Sequence, residues 1–336
     1  MGELKITSWN IKYLDKLMVP DLGPNQTKRL KAIAQEIQEI SPDILCIIEG
    51  PAGPASIDKF ASNTLSGMYV PVKAGNGAYS IKGNQWIWFL VKTAYADQVS
   101  LLPTLVWDEF AGKSWKVNYW GDFSTATHNH YRHPQVMIWE WQGQRVEFIG
   151  LHLKSKFVSG GKSAWKAGGE RQKEFISKAI KARVKMSTEA ANVRSYINAK
   201  FKQVEKPAIF VMGDLNDGPG KEYFETRYLF FDLLSNIQGD VFFARKFLNH
   251  ALFDYPDSLR WSAFFKDFVD SDRDPKILLD HILFTQGLVD GSLPLVVEPH
   301  AGLVEHEIHD LINASLPKRQ ETSDHKPVSL TVTLYD

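Results

Sequence analysis

The sequence predicts an α/β fold built from mixed β-sheets with helices outside them. Three observations carry that expectation. Apolar runs of strand length alternate with helical periodicity, some strands come in adjacent pairs joined by a short turn, and no shift of composition divides the chain. Alternation calls for sheets covered by helices, while hairpin pairs put antiparallel neighbours into those sheets, so a purely parallel doubly wound sheet does not fit. The 336 residues contain no internal repeat, low-complexity tract or Pro/Gly-rich linker, and one domain spanning 1–336 is expected.

The elements follow in order. Residues 4 to 11 and 44 to 49 read as strands, the second a continuous apolar run of the kind buried on both faces. Between them Leu30, Ile33, Ala34, Ile37 and Ile40 recur at helical spacing, with Thr27 as the start and Pro42 barring continuation. Strands follow at 86 to 92, 135 to 141 and 145 to 153, the last two joined by Gln142-Gly143-Gln144 as a hairpin turn. A long helix covers about 170 to 203, and Ala208-Ile209-Phe210-Val211-Met212 is the next strand. The tail adds a strand from Ile277 to Thr285 and the alternating run from Val328 to Leu334. Two stretches, 107 to 134 and 235 to 276, read as irregular loops.

Composition limits the function. Lys+Arg and Asp+Glu are 39 each, so no global basic field holds a polyanion, and any affinity for nucleic acid must come from a local patch. The single cysteine, Cys46, sits inside an apolar strand, which excludes an intrachain disulfide and suits a reducing compartment. No run approaches the roughly 18 apolar residues of a spanning helix. Met1-Gly2-Glu3-Leu4-Lys5 enters a strand at once, without the stages of a secretion signal, so a cytoplasmic location is expected; a signal removed ahead of Met1 would leave the same start. Nothing in the sequence points to an obligate protein partner.

Six short segments each place an Asn, Asp, Glu or His at the end of an apolar run. They are Ser8-Trp9-Asn10, Ile48-Glu49, Leu151-His152-Leu153-Lys154, Gly213-Asp214-Leu215-Asn216-Asp217, Leu279-Asp280-His281 and Ser323-Asp324-His325. Glu49, Asn10, Asp214, Asn216 and Asp324 offer the oxygen ligands that a hard divalent cation such as Mg²⁺ takes, with Mn²⁺ as a substitute. No Cys cluster suggests structural zinc, and no His-x-x-x-His pair suggests catalytic zinc. His325 and His152 are candidates for the acid, base and donor roles of phosphate-ester hydrolysis, with Asp280 or another carboxylate positioning His325. Each segment also has a plain reading: Gly213 to Pro219 is a good turn, Asn10 a strand-end cap, Glu49 a solvated turn, and His281 a packed core histidine. Their joint occurrence favours an active site.

Taken together, Trp9-Asn10, Glu49, His152-Leu153-Lys154-Ser155-Lys156, Gly213-Asp214-Leu215-Asn216, Leu279-Asp280-His281-Ile282-Leu283 and Ser323-Asp324-His325-Lys326-Pro327 resemble the endonuclease/exonuclease/phosphatase superfamily from residue 4 to 334. The resemblance implies a four-layer sandwich of two mixed β-sheets flanked by helices, with the site at one edge. It implies that Asn10 and Glu49 bind Mg²⁺, and that Asp214 orients or deprotonates the water. It has Asn216 contact the phosphate, and His325 stabilise phosphoryl oxygens or act as acid/base, oriented by Asp280. Asp324 then assists the metal or the water, and His152 contacts phosphate or protonates the leaving group. One departure stands out: where pancreatic-type deoxyribonucleases pair the His152 counterpart with a Glu, this chain has Asn84, Gln85 and Trp86. An amide does not raise a histidine's pKa as a carboxylate does, so a donor role fits His152 better than acid/base. Arg132, in His130-Tyr131-Arg132-His133-Pro134, resembles an Arg-Pro element of bacterial members and reads either as a phosphate ligand or as half of a structural ion pair.

The same family serves nucleic acids, lipids and inositol phosphates, so the substrate rests on local features. From Lys154 to Lys185 ten basic residues, Lys154, Lys156, Lys162, Lys166 and Arg171 among them, stand against Glu170 and Glu174. This run directly follows the His152 strand, where it could track a nucleic-acid backbone, or it is a solvated helix face. Its Gly160-Gly161 and Gly168-Gly169 pairs suggest a mobile loop. Trp107, Trp115, Tyr119, Trp120, Phe123 and Tyr131 offer base stacking, ordinary packing, or a membrane-dipping surface of the sphingomyelinase kind. The expectation is a metal-dependent nuclease acting on DNA or RNA, with a lipid or inositol-phosphate phosphoesterase as the alternative. A binding module on a decayed catalytic fold would have lost part of the intact set.

Overall fold

The computed structural model describes residues 2–79, 85–107, 112–118, 125–220, 222–229, 233–317 and 320–335. One sheet runs in the order Leu295–Val296, Val328–Leu334, Gly2–Asn10, Ile44–Gly50, Trp86–Lys92, Tyr69–Pro71, with Gly302–Val304 also on Val328–Leu334. The second runs Leu248–His250, Asp280–Thr285, Ala208–Asp214, Gln144–His152, Gln135–Trp141, Val99–Leu101. Alternation along the strands decides what lies between them. Leu4, Ile6, Ile44, Cys46 and Ile48 face inward and meet Phe148, Phe210, Met212 and Ile282 of the other sheet. Each such side chain contributes about 1.5–3 kcal/mol when fully buried, which makes this shared core the main hold between the sheets. On the outer faces, Leu45, Ile47 and Trp88 pack on Ile33 and Ile37 of the helix Pro24–Ile40. Ile149, Leu151 and Val211 pack on Ala190, Val193 and Ile197 of the helix Gly169–Gln203. The result is four layers, helix, sheet, sheet and helix, as the family resemblance implies.

Each sheet holds one parallel pair at its centre, and these two pairs position the site. Gly2–Asn10 lies parallel to Ile44–Gly50 with Asn10 opposite Ile48. Gln144–His152 lies parallel to Ala208–Asp214 with His152 opposite Asp214. Parallel neighbours end on the same side, so polar residues at their carboxyl ends gather at one edge, where open α/β sheets bind ligands. Asp280 joins them because its strand runs antiparallel to Ala208–Asp214 with Asp280 opposite Asp214.

Several expectations need correction. The first helix begins at Pro24, one turn before Thr27, because a proline at the first helical position needs no hydrogen-bond acceptor for its nitrogen. The Ile277–Thr285 run divides into Lys276–Ile277, paired with Ala263–Phe264, and Asp280–Thr285 in the main sheet. The 107–134 stretch contains a hairpin of Trp115–Asn118 with Thr125–His128, and the 235–276 stretch supplies the edge strand Leu248–His250. Neither pairing has a local signature. Gly160 and Gly168 do not free a loop; they flank the helix Gly161–Ala167, both with positive φ. Tyr119, Trp120, Phe123 and Asn84, with the side chain of Trp107, lie outside the described residues. Among the described residues no helix is long and apolar enough to cross a membrane.

Candidate active site

The two sheets meet in a hydrogen bond between their strand ends: Asn10 Nδ2 donates to Asp214 Oδ2 at 2.9 Å. The backbone is bent to make this edge. Gly213 sits at φ 138°, and a Cβ there would lie 2.0 Å from the Leu151 carbonyl oxygen, so only glycine lets Asp214 leave the strand this way. Asn216 at φ 55° turns back, and its N–H donates to Asp214 Oδ1 at 2.8 Å. Its Nδ2 donates to the Leu153 carbonyl at 3.1 Å. Glu49 has φ 60° beside a break in the Ile44–Gly50 register, a bulge that re-aims its side chain. Its Oε2 accepts from the Tyr13 N–H at 3.1 Å.

His325 and Asp280 form the most strongly coupled pair. His325 Nδ1 lies 2.7 Å from Asp280 Oδ2, which also accepts from Ser262 Oγ at 2.7 Å. Burial alone would lower the His325 pKa, but the Asp280 charge and hydrogen bond, helped by Asp214 and Asp324, lift it to about 10. The ring is therefore a cation with a second N–H available. Asp214 is pushed up by burial and by Asp280, against the pull of His325. Asp214, Asp280 and His325 have ligand atoms within 4.8 Å of one another, a spacing that suits a metal ion. Here the imidazolium already supplies the positive charge, and a protonated nitrogen is no ligand. Asn10 Oδ1 suits a cation better: it is buried and has no hydrogen-bond partner among the described residues.

His152 stands 3.6 Å from Asp214 Oδ2 through Nε2, and its buried Nδ1 has no partner among the described residues. Burial, Arg132 and His325 all hold its pKa low, so the ring is neutral. Gln85, the residue standing near the expected glutamate, turns instead to Arg132, accepting from Nε and Nη2 at 3.1 and 3.0 Å. Arg132 also donates to the Leu153 carbonyl at 3.2 Å. These contacts are neutral acceptors, and among the described residues Arg132 forms no ion pair. Burial lowers its pKa, with Asp214, Glu49 and Glu189 opposing.

Other expected residues lie less centrally. Asp324 is exposed at the rim in an ion pair of 2.6 Å with Lys12. Lys156 is a correction to the expected substrate ligands, because its ammonium is buried between Asp217 and Glu225. Lys154 has its Nζ on the Ser155 carbonyl at 2.9 Å, and its N–H is held by the buried Glu189. Lys162, Lys166 and Arg171 are exposed. His281 is a core histidine: Leu252 N–H donates to His250 Nδ1, which makes His250 Nε2 the donor to His281 Nδ1 and His281 Nε2 the donor to the Asp217 carbonyl. Sequence reasoning missed Ser262, Arg29 and the contact of Gln85 with Arg132. Arg29 fastens the rim by donating to the carbonyls of Lys12, Glu321 and Thr322. None has a local signal, since each acts on a residue distant in the chain.

No protein-family model matches the sequence, and no curated protein matches it significantly. Solved structures do match in shape. Truncated Caenorhabditis elegans TDP2 is 17% identical, with 98% of this chain and 97% of that chain covered and a TM-score of 0.51. A humanized D. rerio TDP2 carrying 14 mutations is 14% identical over 98% and 99%, also at 0.51. An endonuclease/exonuclease/phosphatase from Bacteroides vulgatus aligns over 99% and 100% at 13% identity, with a TM-score of 0.48 that carries no weight here. Likeness at such identities speaks to architecture alone, and with the two face-to-face mixed sheets it establishes that this chain has the endonuclease/exonuclease/phosphatase fold.

Proposed function

We propose that the chain, working as one domain, is a divalent-metal-dependent phosphodiesterase that hydrolyses DNA or RNA by attack of water. The observation that carries this reading is the gathering of Asn10, Glu49, Arg132, His152, Asp214, Asn216 and the Asp280–His325 pair at one edge, with a buried oxygen on Asn10 that has no partner among the described residues. Asn10 and Glu49 would hold Mg²⁺ or Mn²⁺, with Asp324 close to the rim. When bound, the cation supplies positive charge to phosphoryl oxygens and to the departing alkoxide.

The chain's own groups do the rest. Asp214, fixed through both oxygens by Asn10 and Asn216, is placed to orient and deprotonate the water, and its raised pKa makes it a better base than a solvated carboxylate. The His325 imidazolium offers its Nε2–H to a phosphoryl oxygen while Asp280 holds the ring. Arg132 adds a charge that no ion pair among the described residues neutralises, and neutral His152 serves as a hydrogen-bond donor. The exposed Lys162, Lys166 and Arg171 extend a basic surface for a polynucleotide.

A substrate panel at fixed salt tests the reading: single- and double-stranded DNA, RNA, sphingomyelin and an inositol polyphosphate, each with Mg²⁺ and with EDTA. Nucleic acid should be cleaved with Mg²⁺ only, and Glu49→Gln should remove most of the activity because the amide keeps the shape without the charge. Full turnover after exhaustive dialysis against EDTA would sink the metal requirement. Cleavage of the lipid or inositol phosphate with nucleic acids intact would replace the nuclease by the alternative phosphoesterase.

A further inference from the structure

A cavity of 340 Å³ opens beside the site, sharing Asn216, Asp324 and His325 with it. That volume falls within the roughly 300–1,000 Å³ of small-molecule sites. Its rim carries three aromatic rings that packing does not explain, Phe157, Phe264 and Phe265, which are 67%, 57% and 48% exposed. Deeper in, Phe268 leans on Phe175 with ring centroids 5.7 Å apart, and Phe175 on Phe224 at 5.8 Å, so the inner wall is rigid. The floor differs in kind. Lys156 sits between Asp217 and Glu225, and Arg183 donates to Glu222 beneath the Phe224 ring. Arg273, at the mouth, is half-buried and has no ion-pair partner among the described residues.

Aromatic walls over a charged floor select a flat ligand with a polar edge. An alkyl chain would gain from the walls but would strip water from the floor without returning hydrogen bonds. A nucleobase satisfies both, stacking by its faces and bonding at its rim. We propose that this cavity is a subsite for one unpaired nucleobase, carried by the nucleotide adjoining the phosphate under attack, with Arg273 placed for the backbone phosphate beyond it. The inference rests on the phosphodiesterase reading and narrows its substrate to single-stranded nucleic acid or frayed ends. A base within a duplex is already stacked and paired and does not enter.

The test separates binding from turnover. Affinity of the whole chain for a 2-aminopurine trinucleotide and for the same trinucleotide with an abasic centre is measured in EDTA, by fluorescence quenching and by competition. The base should tighten binding about tenfold, the scale of one stacking interaction. In Phe264→Ala and Phe265→Ala that preference should collapse towards unity. In Phe253→Ala, an 82% exposed ring outside the cavity lining, it should persist. Equal affinity for the base and the abasic ligand, a preference untouched by both rim variants, or displacement by dihexanoylphosphatidylcholine but not by nucleoside would each overturn the subsite. Hydrolysis of bis(p-nitrophenyl) phosphate with Mg²⁺ is scored separately: its absence refutes the phosphodiesterase reading while leaving the base preference to stand or fall by itself.

Discussion

Replacing Asp280 by Asn tests the electrostatic reasoning most directly, because it removes one charge and keeps the shape. Asp280 is fully buried, and its Oδ2 lies 2.7 Å from both His325 Nδ1 and Ser262 Oγ, contacts an amide oxygen can retain. A His325 pKa lifted from 6.5 to about 10 corresponds, at 1.36 kcal/mol per pH unit, to roughly 5 kcal/mol of preference for the protonated ring. Asp214 and Asp324 share in that, so the loss assigned to Asp280 is about 3 kcal/mol, in keeping with the roughly 3–5 kcal/mol of breaking a buried pair. The sign follows from the raised pKa: the stabilisation is complete below the unfolded value of 6.5 and disappears as pH rises through about 10. Urea denaturation in EDTA should therefore show Asp280→Asn destabilised by about 3 kcal/mol at pH 6, with the deficit shrunken at pH 10 and the m-value unchanged. A deficit equal at both pH values, or a His325 imidazole titrating near 6.5 by NMR in the wild type, would refute the argument.

Three further expectations can be checked with the same protein. His325→Ala should lower kcat by at least about tenfold more than His152→Ala, since only His325 carries a carboxylate-held charge; a larger loss at His152 reverses the roles. Gly213→Ala forces a Cβ to within 2.0 Å of the Leu151 carbonyl, so chemical denaturation should show a loss above about 2 kcal/mol, and a loss below about 0.5 would mean that the strand yields freely. Reversing Lys162, Lys166 and Arg171 to Glu should raise KM for polynucleotide and flatten its salt dependence while leaving KM for a small diester nearly unchanged; parallel changes for both substrates would remove the patch from binding.

What the sequence makes legible is chemistry that is local. Asn10, Glu49, His152 and Asp214 each close an apolar run, and a run long enough to be a strand announces where its last residues will stand, whereas Asp280 opens its strand. The layers follow from the same alternation. Partnerships between distant residues leave no such trace. Ser262 reaches Asp280 across 18 residues, and Arg29, on the first helix, reaches Thr322 across 293, each through an ordinary-looking side chain whose partner the local sequence does not name. Lys156 shows the opposite failure: its motif position suggests a substrate ligand, but Asp217 and Glu225 arrive from a turn and a later segment to neutralise it. The aromatic cavity was illegible for a related reason. Phe157 follows the His152 strand, while Phe264, Phe265 and Phe268 come from one stretch more than a hundred residues later, and nothing in either stretch says that its rings will line the same cavity.

The charge balance of the site gives the proposed cation a specific task in this chain. His325 is matched by Asp280, and Arg132 is a further positive group near Glu49 and Asp214. With both carboxylates ionised, a phosphodiester would approach a site of the same sign as itself in a chain whose overall charge is zero. Burial and Asp280 raise the Asp214 pKa and so ease that conflict only by protonating the group proposed as base. A divalent ion held by Asn10 and Glu49 would ease both difficulties together: its positive charge would favour the incoming anion, and would favour the ionised form of Asp214 in which that carboxylate can take a proton from water.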